Sequence, residues 1–505
     1  MSTFIIAIGG TGAKLLEAIV HLGAAGIFAS DSQKDLPPKD LHILFVDPDT
    51  GNGNLTAADS IALAHYQKCS DTIIGGINRE FHSWMQTKIE KLGTGLWSPF
   101  QESGKTRSLI DAFNYDNYEP DSPLRHLFNV LYTQEEQKIN LREGFRGRPA
   151  IGAAIMSKFI QEESNQKSWK DLIGKIQAGD QVFLCGSIFG GTGASGFPTL
   201  GRLLAEDLGE KGKNILDTVK LGGLLMLPYF KFDPPTEKKE KTNEKQEEEI
   251  YARSEEFILR TEAALRYYGA QNLKFDTVYL LGIPNPTKIQ GSPKTGGSGQ
   301  RNPPHFLELY GALALRDFVF SEKPEQLRVV YLSRNSSNSV TWEDIPERSE
   351  VRSKLINTTR FAFAWLSVIV PDLDHAKEAP GDVRWALRFF HREQLRQLNN
   401  ESHEENDKIK AISAWCQDYL QWLLSLHQSE SGVQWFNFSA FGSLDKDKNL
   451  KLKLDRNQFP NLVKEGGGSH VTKILENLDA KNINSENQGV LGLAKSLYRT
   501  ICKTP

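Results

Sequence analysis

Along the first two thirds of this chain, short runs of apolar residues alternate with segments whose apolar residues have helical spacing. A run that stays apolar on both faces is typical of a strand in a parallel sheet, because helices cover both sides of such a sheet. The alternation therefore predicts an α/β fold with a mostly parallel sheet over about the first 330 residues. The predicted strands are residues 4–8, 41–46, 182–185, 219–227 and 277–283.

The remaining third of the chain has a different pattern. It predicts long helices at residues 347–370, 379–399 and 405–428, followed by an aromatic segment at 433–441 with β character. We therefore expect three parts: a sheet-containing domain at 1–304, a connecting helix at 305–321, and a divergent α-rich domain at 322–505. Two insertions interrupt the first part. Residues 237–249 form a mixed-charge run, predicted to be solvated, and residues 287–304 are predicted to form a flexible loop.

Composition excludes several classes of protein. The 60 Lys and Arg residues against 63 Asp and Glu give a net charge of -3, so no global basic footprint favours a nucleic-acid partner. The 4 cysteines form no CxxC pair, which argues against a disulfide scaffold or a structural zinc site and fits a reducing compartment. We expect no signal peptide and no membrane span, and hence a cytoplasmic protein.

Three glycine loops stand out, two directly after predicted strands and one that leads into a helical segment. They read GGTG at residues 9–12, GFRGRP at 144–149 and GGTGASG at 190–196. One such loop is commonly plain turn chemistry, but three on one sheet favour a phosphate-binding site, because glycine lets helix N-termini approach an anion. Neither standard motif fits. The first loop lacks the third glycine of GxGxxG, and the SGKT at 103–106 has Pro99 where a Walker A loop has glycine, so we interpret it as a surface loop.

The order of these loops resembles that of the tubulin/FtsZ superfamily, and more closely its bacterial tubulin-like branch. The segment FGGTGASGFP at 189–198 is similar to the family signature, although Phe189 stands where a small residue is expected and Ser195 where glycine is expected. Residues 144–152 resemble the γ-phosphate-sensing loop, and 221–232 the fifth strand with its ribose-side loop. Residues 276–286 resemble the sixth strand, and 305–320 the core helix.

The resemblance implies a Rossmann-type GTPase domain that binds GTP or GDP with Mg²⁺. Asn285 would read the guanine base, and Asp47 and Asp49 would hold or position Mg²⁺; an Asx turn after the second strand explains these two acids equally well. Lys14 is either a phosphate contact or a solvated helix residue. The residues implied at the phosphates are Gly10, Thr11, Gly12, Lys14, Gly147, Arg148, Gly190, Gly191, Thr192 and Gly193.

In this superfamily an acidic loop of the next subunit completes the hydrolytic site. The FtsZ-like NxDxxD does not follow residues 305–320, and the nearest acids are Glu343 and Asp344, which could instead cap a helix. The resemblance thus implies a filament that assembles head to tail, with GTP hydrolysed at the interface. The alternative is a catalytically weak, nucleotide-gated module whose C-terminal domain binds a protein partner. An NAD-type oxidoreductase is disfavoured by the number and order of the loops.

Overall fold

The computed structural model describes most of the chain. The described residues are 1–29, 39–74, 84–100, 108–160, 167–232, 253–271, 273–289, 296–333, 339–346, 348–398, 404–428, 432–444, 450–464, 468–478 and 489–503. The mixed-charge run at 237–249 and the SGKT at 103–106 lie outside these residues.

A seven-stranded sheet forms the centre of the fold, in the order β3-β2-β1-β4-β5-β7-β9. All of its neighbouring strands are parallel. The prediction of a mostly parallel α/β sheet is therefore confirmed, and the strand order is that of a Rossmann-like fold. The strands are β1 (Thr3–Ile8), β2 (Leu41–Val46), β3 (Ile89–Trp97), β4 (Gln181–Ser187), β5 (Lys220–Met226), β6 (Phe230–Phe232), β7 (Thr277–Gly282), β8 (Thr287–Ile289), β9 (Arg328–Ser333), β10 (Gly442–Leu444) and β11 (Leu450–Leu452).

Helices make up most of the remaining described structure. They are α1 (Gly9–Ala24), α2 (Gly53–Thr56), α3 (Ala64–Ile74), α4 (Leu109–Phe113), α5 (Pro123–Leu131), α6 (Gln134–Gln137), α7 (Pro149–Ile160), α8 (Lys167–Lys175), α9 (Gly191–Lys211), α10 (Lys213–Thr218), α11 (Phe257–Ala270), α12 (Phe306–Phe320), α13 (Arg348–Ala364), α14 (Val370–Glu378), α15 (Arg392–Gln397), α16 (Glu404–Gln428), α17 (Val471–Leu478) and α18 (Gly489–Cys502). Two π-helical segments, Ala57–Leu63 and Trp365–Ile369, join α2 to α3 and α13 to α14.

Helices cover both faces of the sheet, and two consecutive glycines of β5 show how. A Cβ on Gly222 would lie 2.5 Å from the ring of Phe318 in α12, whereas a Cβ on Gly223 would lie 2.5 Å from the ring of Phe197 in α9. Because successive residues of a strand point to opposite faces, α12 and α9 lie on opposite sides of the sheet. A Cβ on Gly311 of α12 would meet Leu15 at 2.2 Å, so α1 shares the face of α12.

The C-terminal part packs against the face that carries α1 and α12. Trp84 stacks on Tyr498 of α18 with ring centroids 4.0 Å apart, and His21 of α1 lies 4.9 Å from Trp422 of α16. Arg316 of α12 pairs with Glu350 of α13 at 3.1 Å. The C-terminal helices therefore form one core with the sheet-containing part.

Three predictions of secondary structure are wrong in detail. Residues 379–399 are not one helix: α14 ends at Glu378, before Pro380 and Gly381, and only short turns and α15 follow. The aromatic segment at 433–441 has β character only in two isolated bridges, at Val433 and Phe436, and then forms a 3₁₀ turn at Phe438–Ala440. The loop at 287–304 begins with a strand, β8, which pairs with β6. Among the described residues, no helix combines the length and the apolar character needed to cross a membrane.

Candidate functional site

A cavity of about 1290 Å³ opens at the carboxyl edge of the sheet. It lies where β1 and β4 are neighbours, which is the point at which the strand order reverses direction. Ligands of open α/β sheets bind at this topological switch point, because the helices that follow the two strands leave a crevice between their N-termini. The position of the cavity therefore follows from the strand order alone.

The N-terminus of α1 forms one side of the crevice. Gly9 adopts φ +70°, a left-handed conformation that lets the chain turn from β1 directly into the helix. A Cβ on Gly9 would lie 3.1 Å from the Cβ of Thr192, so the first turns of α1 and α9 touch. Gly10 borders the cavity, whereas Gly12 lies behind it, where a Cβ would be 2.6 Å from the carbonyl carbon of Ala7.

The N-terminus of α9 forms the opposite side. Gly190 is the N-cap and no side chain caps the helix, so its first N–H groups remain available to a ligand. A Cβ on Gly191 would lie 3.1 Å from the nitrogen of Gly147, and a Cβ on Gly193 would lie 2.4 Å from the oxygen of Ser187. These glycines are therefore required for backbone packing as well as for access to a ligand.

The loop before α7 brings Arg146, rather than the predicted Arg148, to the cavity. Arg146 lines it with φ +44°, an unusual conformation for a residue that is not glycine. Its guanidinium pairs with Glu143 at 2.6 Å. Arg148 pairs with Glu136 at 2.9 Å and does not line the cavity. Sequence spacing could not show which of the two arginines borders the cavity, because the loop is irregular. Gly147 between them has φ +72°, and a glycine at this position was the available signal for a sharp turn.

Lys14 is neither solvated nor directed at a free anion. It is 3% exposed and forms an ion pair with Glu308 of α12, which is 1% exposed. Its ammonium group also donates to the carbonyl of Pro303 at 2.8 Å. The second carboxylate oxygen of Glu308 accepts from the backbone nitrogen of His305 at 2.9 Å, and the first accepts from the hydroxyl of Tyr229, also at 2.9 Å. Lys14 thus borders the cavity while holding α1 to α12.

Asp47 and Asp49 follow β2 and form an Asx-type turn, which was the structural alternative to a role in binding Mg²⁺. A carboxylate oxygen of Asp47 accepts from the nitrogen of Asp49 at 3.1 Å. The oxygens of Asp49 accept from the nitrogens of Gly51 at 3.0 Å and Gly297 at 2.7 Å. Both acids line the cavity. Among the described residues, no group of three or more acidic, histidine or cysteine side chains is arranged to hold a metal ion.

Asp47 makes the stability of the fold depend on pH. Burial raises the pKa of Asp47 to about 8, well above its ordinary value of 3.8. A raised pKa in the folded state means that the contribution of Asp47 to stability is present at low pH and is lost as the pH rises towards 8. We expect Asp47→Asn, which stays neutral, to gain thermal stability over the wild type as the pH is raised from about 5 to about 8.

Thermal unfolding of both proteins across this pH range measures the effect. Parallel curves for Asp47→Asn and the wild type would show that the carboxyl does not titrate in this way. Repeating the series with Mg²⁺ tests the metal role of Asp47, since a bound cation should stabilise the wild type more than Asp47→Asn at pH 8.

Asn285, predicted to read a base, is exposed and lies outside the cavity. It falls in the turn between β7 and β8, and the side chains that border the cavity there belong to Thr287, Lys288 and Ile289. The strand pairing of β8 with β6 directs this segment along the rim, which the sequence alone did not indicate.

Glu343 and Asp344 also lie outside the cavity. The carboxylate of Asp344 accepts from the backbone nitrogen of Thr341 at 2.7 Å, as a cap of its own 3₁₀ turn. β9 is parallel to the other strands, so the chain leaves Ser333 at the same edge of the sheet as the glycine loops. The hydroxyl of Tyr310, near the start of α12, donates to the carbonyl of Asp344. The predicted role of Glu343 and Asp344 is at the site of a neighbouring subunit, and it stays a prediction.

An aromatic wall, which the sequence analysis missed, forms another side of the cavity. It consists of Phe189, Tyr229, Phe230, Phe232 and Phe257. The ring of Phe189 lies 4.7 Å from that of Phe257 and 5.4 Å from that of Phe230. The large residue at position 189, which departs from the family signature, is therefore explained by packing against β6 and α11. The aromatic spacing F-K-F at 230–232 was the available signal.

The predicted site residues thus divide into two groups. Those that line this cavity are Gly10, Thr11, Lys14, Asp47, Asp49, Gly147, Gly190, Gly191, Thr192 and Gly193. Those that do not line it are Gly12, Arg148, Asn285, Glu343 and Asp344.

The fold and the cavity define a Rossmann-like α/β protein with two glycine-rich helix N-termini at the switch point of its sheet. No protein-family model matches the chain, and no curated protein sequence matches it. A search of solved structures finds CetZ from Methanosaeta thermophila strain DSM 6194 at 11% sequence identity and a TM-score of 0.24. That alignment covers 56% of this chain and 46% of the CetZ chain, so the chain spans under half of its length. A similarity this low does not assign the chain to a family.

Proposed function

We propose that this chain is a tubulin-like nucleotide-binding protein that binds GTP, with the phosphates at the N-termini of α1 and α9. The observation that carries the proposal is that these two helix N-termini are in contact and border the same cavity. Each N-terminus offers unpaired N–H groups and the positive end of a helix dipole, so two together favour a polyanion. The preference for guanine rests on the resemblance in loop order. Asp47 and Asp49 would supply carboxylate oxygens to a Mg²⁺ ion whose other ligands come from the phosphates and from water, and the ion would neutralise phosphate charge.

Titration calorimetry in Mg²⁺ with GTP, GDP, ATP and NAD tests the proposal directly. We expect GTP to bind and NAD not to bind. Tighter binding of NAD than of any nucleoside triphosphate would instead support the dinucleotide alternative, for which Asp47 at the end of β2 would be the ribose contact.

Arg146 is the cation that we expect to contact the phosphates. Its loop packs directly on the first residue of α9, since a Cβ on Gly191 would lie 2.9 Å from the Cβ of Phe145. Hydrogen bonds to charged groups are worth about 1.5–3 kcal/mol, so Arg146→Ala should weaken GTP binding by about 10- to 100-fold. Arg148→Ala is the matched control, because it removes the same side chain two positions away, outside the cavity. Equal losses in both variants would contradict the assignment.

Head-to-tail assembly, with GTP hydrolysed between subunits, is the activity that the resemblance supports. The alternative, a nucleotide-gated module that binds a protein partner, is favoured by a different observation. Helix α16 of the C-terminal part borders the cavity within the same chain, through side chains that include Asp418, Gln421 and Ser425. An element of the same chain thus occupies one wall of the site.

The GTPase rate per molecule, measured over a wide range of protein concentration, separates the two forms of the proposal. Because α16 borders the site in cis, we expect a rate that is flat with concentration, or no turnover despite GTP binding. A rate that rises above a threshold concentration would contradict this expectation and support assembly, because the active site would then be completed between subunits. Sedimentation of the same samples with GTP provides an independent measure of polymer.

A further inference from the structure

The cavity extends well beyond the glycine loops. Along α1 it is bordered by Gly10, Lys14, Glu17 and His21, which are spaced so that they share one face of the helix. From Gly10 to His21 the helix rises by about 16 Å. The volume of about 1290 Å³ also exceeds the range of about 300–1,000 Å³ typical of small-molecule sites. A ligand anchored at the N-terminus of α1 therefore has room to extend towards α16.

Helix α16 presents a polar stripe to this distal part of the cavity. Asp418, Gln421, Ser425 and Gln428 follow one another at intervals of three and four residues, so they lie on one helical face, and all four border the cavity. Buried side chains such as Trp415 and Cys416 occupy other sides of α16, whereas Gln417, next to the stripe, is exposed. Helix α16 is therefore amphipathic, and the stripe is the part of its polar side that borders the cavity.

The acidic side chains of the distal part already have partners. Glu17 pairs with Arg301 at 3.2 Å, and Asp418 pairs with His65. His21 is neutral, because burial lowers its pKa to about 3. Its Nδ1 atom has no hydrogen-bond partner among the residues that the structure describes.

The other side chains of the stripe are the amides of Gln421 and Gln428 and the hydroxyl of Ser425, and these groups both donate and accept hydrogen bonds. The Ser425 hydroxyl donates to the carbonyl of Gln421 at 2.8 Å and keeps its capacity to accept. This chemistry suits an uncharged polar moiety rather than a phosphate.

We propose that α16 completes the nucleotide site in cis by binding the nucleoside end of the ligand whose phosphates lie at α1 and α9. This inference rests on the proposed function. One ligand then contacts both parts of the chain, so nucleotide binding stabilises the packing of α16 against α1 and α3. The C-terminal part, which begins after the connecting helix α12, thereby responds to the occupancy of the cavity.

The test compares GTP with inorganic tripolyphosphate, which lacks the nucleoside, by titration calorimetry. The double variant Gln421→Ala, Ser425→Ala should bind GTP about 10-fold more weakly and bind tripolyphosphate as the wild type does. Gln417→Ala is the matched control, because Gln417 is exposed on the same helix and does not border the cavity. Its affinity for GTP should be unchanged.

The outcomes distinguish the inference from the function on which it rests. If the wild type binds GTP and the double variant binds it equally well, the inference is overturned and the proposed function stands. Equal losses of GTP and tripolyphosphate also overturn it, since α16 would then act on the phosphates or on folding. A wild type that binds neither ligand refutes the proposed function itself. Hydrogen exchange of Glu404–Gln428 supplies a second readout: slower exchange with GTP but not with tripolyphosphate is expected.

Discussion

Replacing Thr192 by glutamate is expected to abolish nucleotide binding without unfolding the protein. Thr192 is the second residue of α9, is partly exposed and lines the cavity. A carboxylate in the first turn of a helix is favourable for the helix dipole, so the fold should tolerate it. The same carboxylate would repel a phosphate. Two unit charges about 4 Å apart interact by about 4 kcal/mol at an effective dielectric constant of about 20, so a loss of at least about 100-fold in affinity is expected.

The matched control is Thr472→Glu. Thr472 is likewise the second residue of a helix, α17, and is exposed far from the cavity lining. Both variants should retain the unfolding temperature of the wild type, and only Thr192→Glu should lose GTP in a titration. Unchanged affinity in Thr192→Glu would remove α9 from the proposed site. Gly191 and Gly193 are poorer targets, because a Cβ at either would strike the backbone or a side chain and disturb the fold itself.

Removing the ammonium group of Lys14 is expected to have the largest effect on stability. The ion pair of Lys14 and Glu308 is buried at both ends. Breaking such a pair by removing one partner costs about 3–5 kcal/mol, because the other charge remains buried and uncompensated. We therefore expect Lys14→Met to lower the urea-unfolding midpoint and the unfolding temperature sharply.

The double variant Lys14→Met, Glu308→Gln is the control for this prediction. Glutamine keeps an oxygen that can accept from the nitrogen of His305 and the hydroxyl of Tyr229, but it carries no charge. Much of the lost stability should therefore return in the double variant. A double variant as unstable as Lys14→Met, or additive losses in the two single variants, would show that packing rather than charge pairing is disrupted.

The residue pattern alone predicted five of the seven strands of the sheet and the position of its ligand-binding edge. Strands buried on both faces must be apolar throughout, and a helix that begins directly after a strand needs glycine for the turn, so both features are visible locally. Residues 182–185 show this for the sheet, because β4 lies where the pattern indicated. The helix after them begins earlier than its apolar pattern, at Gly191 within the glycine loop, and contains Pro198. β3 was missed because it contains charged residues and two glycines. β9 was missed too, because it lies after residue 321 in the region predicted to be α-rich, so the sheet extends past that predicted boundary.

The distribution of charges around the cavity was decided by long-range packing. Arg146 and Arg148 are two positions apart in an irregular loop with no periodicity, so only the fold determines which of them borders the cavity and which pairs with Glu136. Likewise, Lys14 is directed to Glu308 by the packing of α1 against α12, across almost 300 residues of sequence. No local rule relates residues so far apart.

What the sequence by itself determined is therefore the α/β class, the parallel sheet and the glycine-rich turns, because each depends on the burial and the backbone freedom of a few neighbouring residues. The tertiary structure alone decided which side chains share the cavity. It placed Asn285 and Arg148 outside the cavity, and it brought the aromatic wall and the polar stripe of α16 to it. The physical reason is that contacts between distant segments depend on how whole helices pack on the two faces of the sheet, a property that no short stretch of residues carries.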